Sequence, residues 1–224
     1  APTLIPLAPT LEHYRSLFES LDMARHVANS LIFSIGVTLL SVLFNAMAAY
    51  AFAKLRFPGR EKLFALLLAA MMIPGQVTML PAFMILRSLG LLNSYAGLIL
   101  PGSAAVFGIF MLRQFMMELP EEILEAARID GCSEYMIFWR IVLPLCRPVI
   151  ATLAIFSFIG SWNEFLWPLI VMLREDRQTL PVALANLNGQ YNSDWGLLMA
   201  GAVVVVLPAV AVFLLAQRHY IQGI

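Results

Sequence analysis

Long apolar runs alternate with short polar connections along this chain. An α-helix needs about 20 apolar residues to cross a hydrocarbon core about 30 Å thick. Five segments of a transmembrane domain over residues 29–217 meet that requirement: 29–55, 62–86, 95–117, 148–173 and 195–217. Because these runs are apolar on every face and do not alternate, they predict helices and disfavour a membrane β-barrel. We therefore expect an all-α, polytopic membrane bundle.

The composition agrees with lipid as the main solvent. Only 12% of the 224 residues are charged, the net charge is zero and the mean hydropathy is +0.83, whereas soluble domains are about 25% charged. The neutral balance gives no indication of a nucleic-acid partner. Three scattered histidines (His13, His26 and His219) and two cysteines (Cys132 and Cys146) show no metal-ligand spacing. No metal site is expected, and the thiols are interpreted as reduced packing residues.

The distribution of Lys and Arg between the connections predicts the orientation of the bundle. One side carries nine basic residues: Lys54, Arg56, Arg60, Lys62, Arg113, Arg128, Arg140, Arg147 and Arg218. The other side carries five: Arg15, Arg25, Arg87, Arg174 and Arg177. The more basic side is expected to face the cytoplasm. This places the loop 118–147 and the tail 218–224 inside, and residues 1–28 and 174–194 outside.

Proline and glycine interrupt three of the predicted spans, at Pro74, Gly75, Pro81, Pro101, Gly102 and Pro208. Each proline removes a backbone donor, and the freed carbonyl must find a partner inside the protein, because lipid offers none. One interpretation is packing kinks between helices. The alternative is that the stretch PGQVTMLP, with Gln76 and Thr78, lines a passage.

The most charged stretch of the chain is EEILEAARIDGCSEYMIFWRIVLPL, residues 121–145. Pro120 suits the first position of a helix, and Glu121 and Glu122 complement its dipole. Gly131 can take a positive φ that ends this helix, and Ser133 can cap a second one. The pattern predicts two short helices joined by a sharp turn.

The polar face of the first short helix is acidic. Arg128 follows Glu125 by three residues, within ion-pair reach on a helix. Helices that lie on membrane surfaces usually carry Lys and Arg on the polar face, and anionic lipid would repel these glutamates. A protein partner with a basic groove therefore fits better than a lipid surface, with a plain connector as the remaining alternative.

The spacing of this stretch matches the pattern EAA-x3-G-x9-I-x-LP. Its fixed positions hold Glu125, Ala126, Ala127, Gly131, Ile141, Leu143 and Pro144. It resembles the signature loop of permease subunits in bacterial and archaeal binding-protein-dependent ABC importers, and we call residues 118–147 the coupling loop. The strings AYAFAKLRFPG, AARIDG, SWNEFLWPL, TLPVAL and QRHYIQG resemble the carbohydrate branch, as in the smaller permease of the maltose importer. The resemblance extends over residues 14–223.

The resemblance implies that the coupling loop docks into a cleft on an ATPase subunit, whose closure on ATP turns the bundle from inward- to outward-facing. Glu125 would pair with a basic group of the ATPase, and Leu143 and Pro144 would stiffen the link into the fourth span. The implied coupling residues are Glu121, Glu122, Glu125, Ala126, Ala127, Arg128, Asp130, Gly131, Ile141, Leu143 and Pro144.

Neither Lys54 nor Lys62 belongs to a Gly-Lys-Ser/Thr P-loop. We therefore expect a subunit that is not an enzyme, with ATP and Mg on a separate ATPase.

Glu164 is the acid placed inside a predicted span, where an ionised group costs about 2.5–3.5 kcal/mol. Intramembrane acids usually face partners or water. A translocation path is one interpretation, with these candidates: Gln76, Thr78, Ser161, Trp162, Asn163, Glu164 and Trp167. Aromatic faces with amide and hydroxyl groups suit sugars. The alternative is an interhelical hydrogen bond or a Trp belt at the outer interface.

The polar loop 174–194 carries Asn186, Asn188 and Gly189. The resemblance implies contact with an extracytoplasmic solute-binding protein, and the alternative is a solvated connection. Five spans instead of the family's usual six, and an end at Ile224, suggest trimming at both ends.

The expected role is half of the translocation pathway of an ATP-driven sugar importer. Its partners would be an ATPase dimer, a second permease subunit, the binding protein and membrane lipid, in a bacterial or archaeal plasma membrane. An ABC permease for another solute, a secondary transporter and a membrane enzyme are the rival interpretations. A secondary transporter would need groups for coupling ions and an internal repeat, for which Glu164 alone is weak support. A membrane enzyme would need a nucleophile–base pair or metal ligands within the spans, and none of the histidines lies centrally in one.

Overall fold

A computed structural model describes residues 10–20, 22–190 and 195–220, and side chains are described for 10–19, 22–186, 195–212 and 214. The α-helices of this part of the chain are α1 (Glu12–Ser20), α2 (Met23–Lys54), α3 (Arg60–Ala70), α4 (Gly75–Ser88), α5 (Tyr95–Ile99), α6 (Val106–Met117), α7 (Glu121–Ile129), α8 (Glu134–Ile137), α9 (Leu143–Leu145), α10 (Arg147–Asn163), α11 (Leu166–Val171), α12 (Leu180–Gln190) and α13 (Trp195–Tyr220). A π-helical turn, Phe138–Val142, and 3₁₀ turns at Leu100–Gly102 and Glu175–Arg177 complete the helical elements. No β-strand occurs within the described ranges, and the predicted all-α fold is confirmed.

Two helical stretches, Met23–Lys54 and Trp195–Val212, are each long and apolar enough to cross a membrane. Five crossings result if each of three bent helix pairs counts as one span. The bends are 101° between α3 and α4, 46° between Tyr95–Gly102 and α6, and 80° between Glu134–Leu145 and α10.

The bends alter the predicted spans. Residues 62–86 do not form a straight helix, because Pro74 stands in an extended conformation before α4 and cannot continue the helical hydrogen bonds of α3. Residues 148–173 do not form one either, because α10 ends where Glu164 becomes extended. The helix of the first predicted span begins at Met23, since the Asp22 side chain caps α2 by accepting from the Arg25 N–H.

Helix α2 is the centre of the packing and lies against both α6 and α10. Gly108 allows this close approach, because a Cβ there would lie 2.5 Å from Asn45 Nδ2 and 2.9 Å from Leu153 Cδ1. Asn45 is fully buried. Its Oδ1 accepts the Ala105 N–H at 3.0 Å, and its Nδ2 donates to Ser41 Oγ at 2.8 Å. A side chain of α2 thus satisfies the backbone at the break before α6, as bundles in lipid require.

Polar contacts hold the connections at the two ends of α2. At one end, Arg113 donates to the Phe52 carbonyl at 3.2 Å and pairs with Glu61 at 3.4 Å, with its guanidinium 4.0 Å from the Phe64 ring centre. At the opposite end, Asn29 Nδ2 donates to the carbonyls of Asp176 and Gln178 at 3.1 and 3.0 Å. The connections assigned to opposite sides of the membrane from their charge therefore lie at opposite ends of α2.

Candidate functional site

The coupling loop folds as the two short helices predicted from its sequence. Pro120 is the residue before α7, one position earlier than expected, and Gly131 ends the helix with φ +82°. Ser133 caps α8 by accepting the Met136 N–H at 3.3 Å. Nothing lies within 4 Å of the position that a Gly131 Cβ would occupy, so the backbone conformation alone favours glycine there.

The inner face of the coupling loop packs against α2 and α6. Leu124, Ala127, Ile137 and Val142 are buried in one apolar cluster with the end of α2. Cys132 and Cys146 are free thiols of the same cluster, in agreement with their interpretation as packing residues. Ile141 and Leu143 are half-buried against it.

Ion pairs surround this apolar cluster. Arg128 pairs with Glu134 at 2.8 Å and with Glu121 at 3.2 Å, whereas the expected pair between Arg128 and Glu125 is not formed. The reason is geometric, because α8 brings Glu134 back across the turn to the arginine. Lys54, at the end of α2, reaches Glu121 at 3.0 Å.

These contacts favour the ionised carboxylates. The hydrogen bond from Lys54, with a further one from Arg128, lowers the pKa of Glu121 below its ordinary value, and partial burial opposes the shift. The hydrogen bond from Arg128 lowers the pKa of Glu134 in the same way. The acids that hold the loop to the bundle are therefore charged near neutral pH.

The outer face of the coupling loop has the opposite character. Glu122, Glu125, Ala126 and Asp130 are exposed, and Glu125 has no ion pair with any side chain that the structure describes. Large apolar groups are exposed beside these acids: Ile123, Ile129, Tyr135, Met136 and Trp139. The eleven candidate coupling residues thus divide. Glu121, Arg128, Ala127, Ile141 and Leu143 hold the loop to the bundle by ion pairs or packing. Glu122, Glu125, Ala126 and Asp130 are exposed, together with the five apolar residues just named, which the motif does not include.

A cavity of about 550 Å³ lies between α2, α4, α5, α10 and α11. Five of the seven path candidates line it: Gln76, Thr78, Ser161, Glu164 and Trp167. Phe156, Ser157 and Gly160 complete its α10 wall. Sequence reasoning missed these three residues, which precede Glu164 at spacings that place them on one helical face.

Glu164 stands at the break between α10 and α11, not inside a helix. Its Oε1 accepts the N–H groups of Leu166 and Trp167 at 3.1 and 3.3 Å, so the carboxylate caps α11 while it faces the cavity. Trp167 Nε1 donates to the Leu98 carbonyl at 3.2 Å, which leaves the ring as the cavity wall.

Two path candidates lie away from the cavity. Trp162 is 1% exposed, stacks on Phe158 and donates to the Val205 carbonyl at 2.9 Å. Asn163 is exposed and donates to the Ile159 carbonyl one turn back at 2.9 Å. For Trp162, the alternative of a hydrogen bond between helices is the one observed.

The opposite end of the bundle presents the loop that leads into α12. Asn186 is exposed, and its Nδ2 donates to Gln178 Oε1 at 2.9 Å. Asn188 and Gly189 belong to α12, but their side-chain positions lie outside the described set. Among the described residues, no group of three or more His, Cys, Asp or Glu is arranged to hold a metal ion.

Comparisons with known proteins agree with this architecture. A family model for the inner membrane component of binding-protein-dependent transport systems matches residues 41–224. The chain is 41% identical over 220 residues to the arabinooligosaccharides transport system permease protein AraQ of Halalkalibacterium halodurans, covering 98% of this chain and 79% of that protein. It is 36% identical over 201 residues to the sn-glycerol-3-phosphate transport system permease protein UgpE of Yersinia enterocolitica, covering 88% and 70%.

A solved structure shares the fold. A chain of a bacterial ABC transporter involved in the import of the acidic polysaccharide alginate superposes with a TM-score of 0.88 at 23% identity, covering 97% of this chain and 82% of that one. The family model covers most of the sequence, and both relatives exceed 30% identity. The chain therefore belongs to the family of inner membrane components of binding-protein-dependent transport systems.

Proposed function

We propose that this chain is a permease subunit of an ATP-driven sugar importer, that it forms half of the translocation pathway, and that its coupling loop docks on a separate ATPase subunit. The observation that carries this proposal is the two-faced coupling loop. Its inner face is fixed to the bundle by burial and ion pairs, and its outer face exposes acids and large apolar groups.

The chemistry of the outer face supports docking on an ATPase. Exposed aromatic and apolar side chains rimmed by acids are typical of a protein interface. Glu125 is available to a basic group of the partner, because it has no ion pair with a described side chain. ATP and Mg are then held by the partner, and this chain contributes no catalytic residue.

The cavity supports sugar as the substrate class. Trp167 and Phe156 offer ring faces, and Gln76, Ser161 and Glu164 offer hydrogen-bonding groups. No Lys or Arg is among the described residues that line it. A phosphorylated solute, such as the one named for the UgpE relative, would therefore find a carboxylate but no cation here. A neutral sugar fits this half of the pathway better. The name of the AraQ relative, which gives arabinooligosaccharides as the solute of that system, agrees with a sugar.

Purification and reconstitution test the proposal. We expect an ATPase subunit, a second permease chain and a solute-binding protein to be recovered with this chain, and binding protein loaded with sugar to stimulate ATP hydrolysis. A ligand screen on that binding protein then identifies the solute. Absence of any copurifying ATPase, or uptake that is independent of ATP, would contradict the proposal.

One substitution separates docking from folding. Glu125→Lys reverses an exposed charge that has no partner among the described side chains, so we expect the permease to fold but sugar uptake to fall at least about tenfold, the effect of losing one charge-assisted contact. Glu12→Lys, which makes the same change on α1 at the opposite end, is the control. Normal uptake by Glu125→Lys in an assembled complex would contradict this role.

A further inference from the structure

Two polar side chains at the end of α2 are almost completely buried against the coupling loop. Tyr50 is 5% exposed, and the side chain of Lys54 is also 5% exposed. They are four residues apart and share one face of the helix. A buried lysine is costly unless it is paired and hydrogen-bonded, so its partners indicate what this position does.

Lys54 is hydrogen-bonded to the beginning of the first helix of the coupling loop. Its Nζ donates to Glu121 Oε2 at 3.0 Å and to the Leu119 carbonyl at 2.8 Å. Both acceptors stand where the chain leaves α6 and enters α7. One ammonium group therefore fixes the entry of α7 to the end of α2.

Tyr50 contacts the second helix of the coupling loop. Its hydroxyl donates to Glu134 Oε2, and its ring lies 5.3 Å from that of Phe138. Arg128 connects these two sets of contacts, because it donates to Glu121 from one nitrogen and to Glu134 from another. The two helices of the coupling loop and the end of α2 are thus connected by a continuous set of charged hydrogen bonds.

The far end of α2 is also held. His26 Nδ1 lies 2.9 Å from the Gln178 carbonyl, and Asn29 bonds that same carbonyl at 3.0 Å. A helix of 32 residues is about 48 Å long. By contrast, the covalent route from the coupling loop to α10 passes through a π-helical turn and an 80° bend.

We propose that Tyr50 and Lys54 are positioning residues that join the coupling loop directly to α2, so that movement of the docked loop reaches the opposite end of the bundle through this helix as well as through α10. This inference rests on the proposed function, because it assumes that an ATPase moves the coupling loop. Packed helices held by discrete contacts shift as rigid bodies. The network of Tyr50, Lys54, Glu121, Arg128 and Glu134 holds α2 and the coupling loop together as one rigid body.

The test measures coupling in the reconstituted complex of permease subunits, ATPase and binding protein. Tyr50→Phe removes one hydroxyl and keeps the ring, and Lys54→Met removes the charge and keeps the stem. We expect each change to raise the ratio of ATP hydrolysed to sugar transported by on the order of fivefold, the lower range of coupling between sites. Lys54→Arg keeps the cation and is expected to restore a ratio close to that of the unaltered protein.

Matched controls come from the same chain. Lys62→Met removes an exposed lysine of α3 that has no ion pair with a described side chain, and Tyr14→Phe removes a hydroxyl at the opposite end of the bundle. Neither should change the ratio. An unchanged ratio in the Tyr50→Phe, Lys54→Met double variant would overturn the inference, as would loss of assembled complex with a normal ratio in what remains.

A further variant separates this inference from the proposed function. If Glu125→Lys uncouples hydrolysis from transport and the double variant does not, the α2 connection is wrong and the docking role of the loop stands. If the unaltered complex shows no hydrolysis linked to transport, the proposed function itself is wrong.

Discussion

Single residues set the shape of the coupling loop. Gly131 has φ +82° in open space, so a substitution there acts through the backbone alone. At the break before α6, the amide of Asn45 supplies the acceptor that the Ala105 N–H would otherwise lack. Both positions are specified by backbone requirements, which a hydrophobicity pattern does not record.

Substitution of Gly131 provides a measure of that backbone requirement. Gly131→Ala should destabilise the turn by about 1–2 kcal/mol, because a Cβ disfavours positive φ. Gly131→Asn should cost less, since asparagine tolerates this region. Hydrogen exchange of the amides of α7 and α8 is the measurement, and faster exchange is expected in the order Ala, Asn, Gly. Gly160→Ala, at a helical glycine of α10 with open space around it, is the control. Equal protection in all variants would contradict the argument.

Ionised groups join the elements of the coupling loop, so we expect the stability of the loop to depend on pH. The hydrogen bonds of Glu121 with Lys54 and Arg128, and those of Glu134 with Arg128 and Tyr50, lower the pKa of both carboxyls below the ordinary glutamate value. Their contribution is therefore fully present above the ordinary glutamate pKa and is lost as the pH falls through the lowered folded-state values.

Acid titration of the purified protein is the corresponding experiment. We expect amides of α7 and α8 to lose protection as the pH falls below 4.5, after correction for intrinsic exchange. The double variant Glu121→Gln, Glu134→Gln should show less protection at neutral pH and a smaller acid effect. Glu122→Gln removes an exposed carboxyl of the same helix outside the network and should behave like the unaltered chain. An identical acid response in the double variant would show that other groups control the loop.

The sequence was sufficient for some elements and not for others. Local chemistry at Pro120, Gly131 and Ser133 predicted the two helices of the coupling loop to within one residue. Apolar runs predicted where helices occur, but not that Pro74 turns the chain by 101° or that Glu164 ends α10. A run of apolar residues reads the same whether its helix is straight or broken.

The site was predicted in the same uneven way. The fixed motif identified the coupling loop, but it could not separate Glu121, which pairs with Lys54 and Arg128, from Glu125, which has no ion pair with a described side chain. The contacts of Tyr50 and Lys54 cross 84 and 67 positions of sequence, so no local pattern shows them. Such pairs arise from the packing of α2, α7 and α8 in three dimensions.

At the scale of the whole molecule, the arrangement of charges predicts a direction across the membrane. The coupling loop and the loop before α12 lie at opposite ends of α2. Counting Lys and Arg predicts that the coupling loop faces the cytoplasm. An ATPase can reach the outer face of the loop only on that side.

Thiol labelling of membrane vesicles tests the direction. Ile129 is 86% exposed on the coupling loop, and Leu173 is 60% exposed at the opposite end. Cys132 is first replaced by Ser. Cys146 can remain, because burial raises the pKa of its thiol to about 11 and the thiolate is the reactive form. An impermeant maleimide should label Ile129→Cys only in inside-out vesicles and Leu173→Cys only in right-side-out vesicles.

Addition of the ATPase subunit connects this orientation to docking. Bound ATPase should protect Ile129→Cys from the maleimide and leave Leu173→Cys unprotected, because only the first position belongs to the exposed apolar and acidic face of the coupling loop. Labelling of Ile129→Cys from the right-side-out surface would reverse the predicted topology, and an ATPase could not then drive the bundle through this loop. Labelling from the correct side without protection would keep the topology and remove the proposed docking face, so each result decides a different part of the proposal.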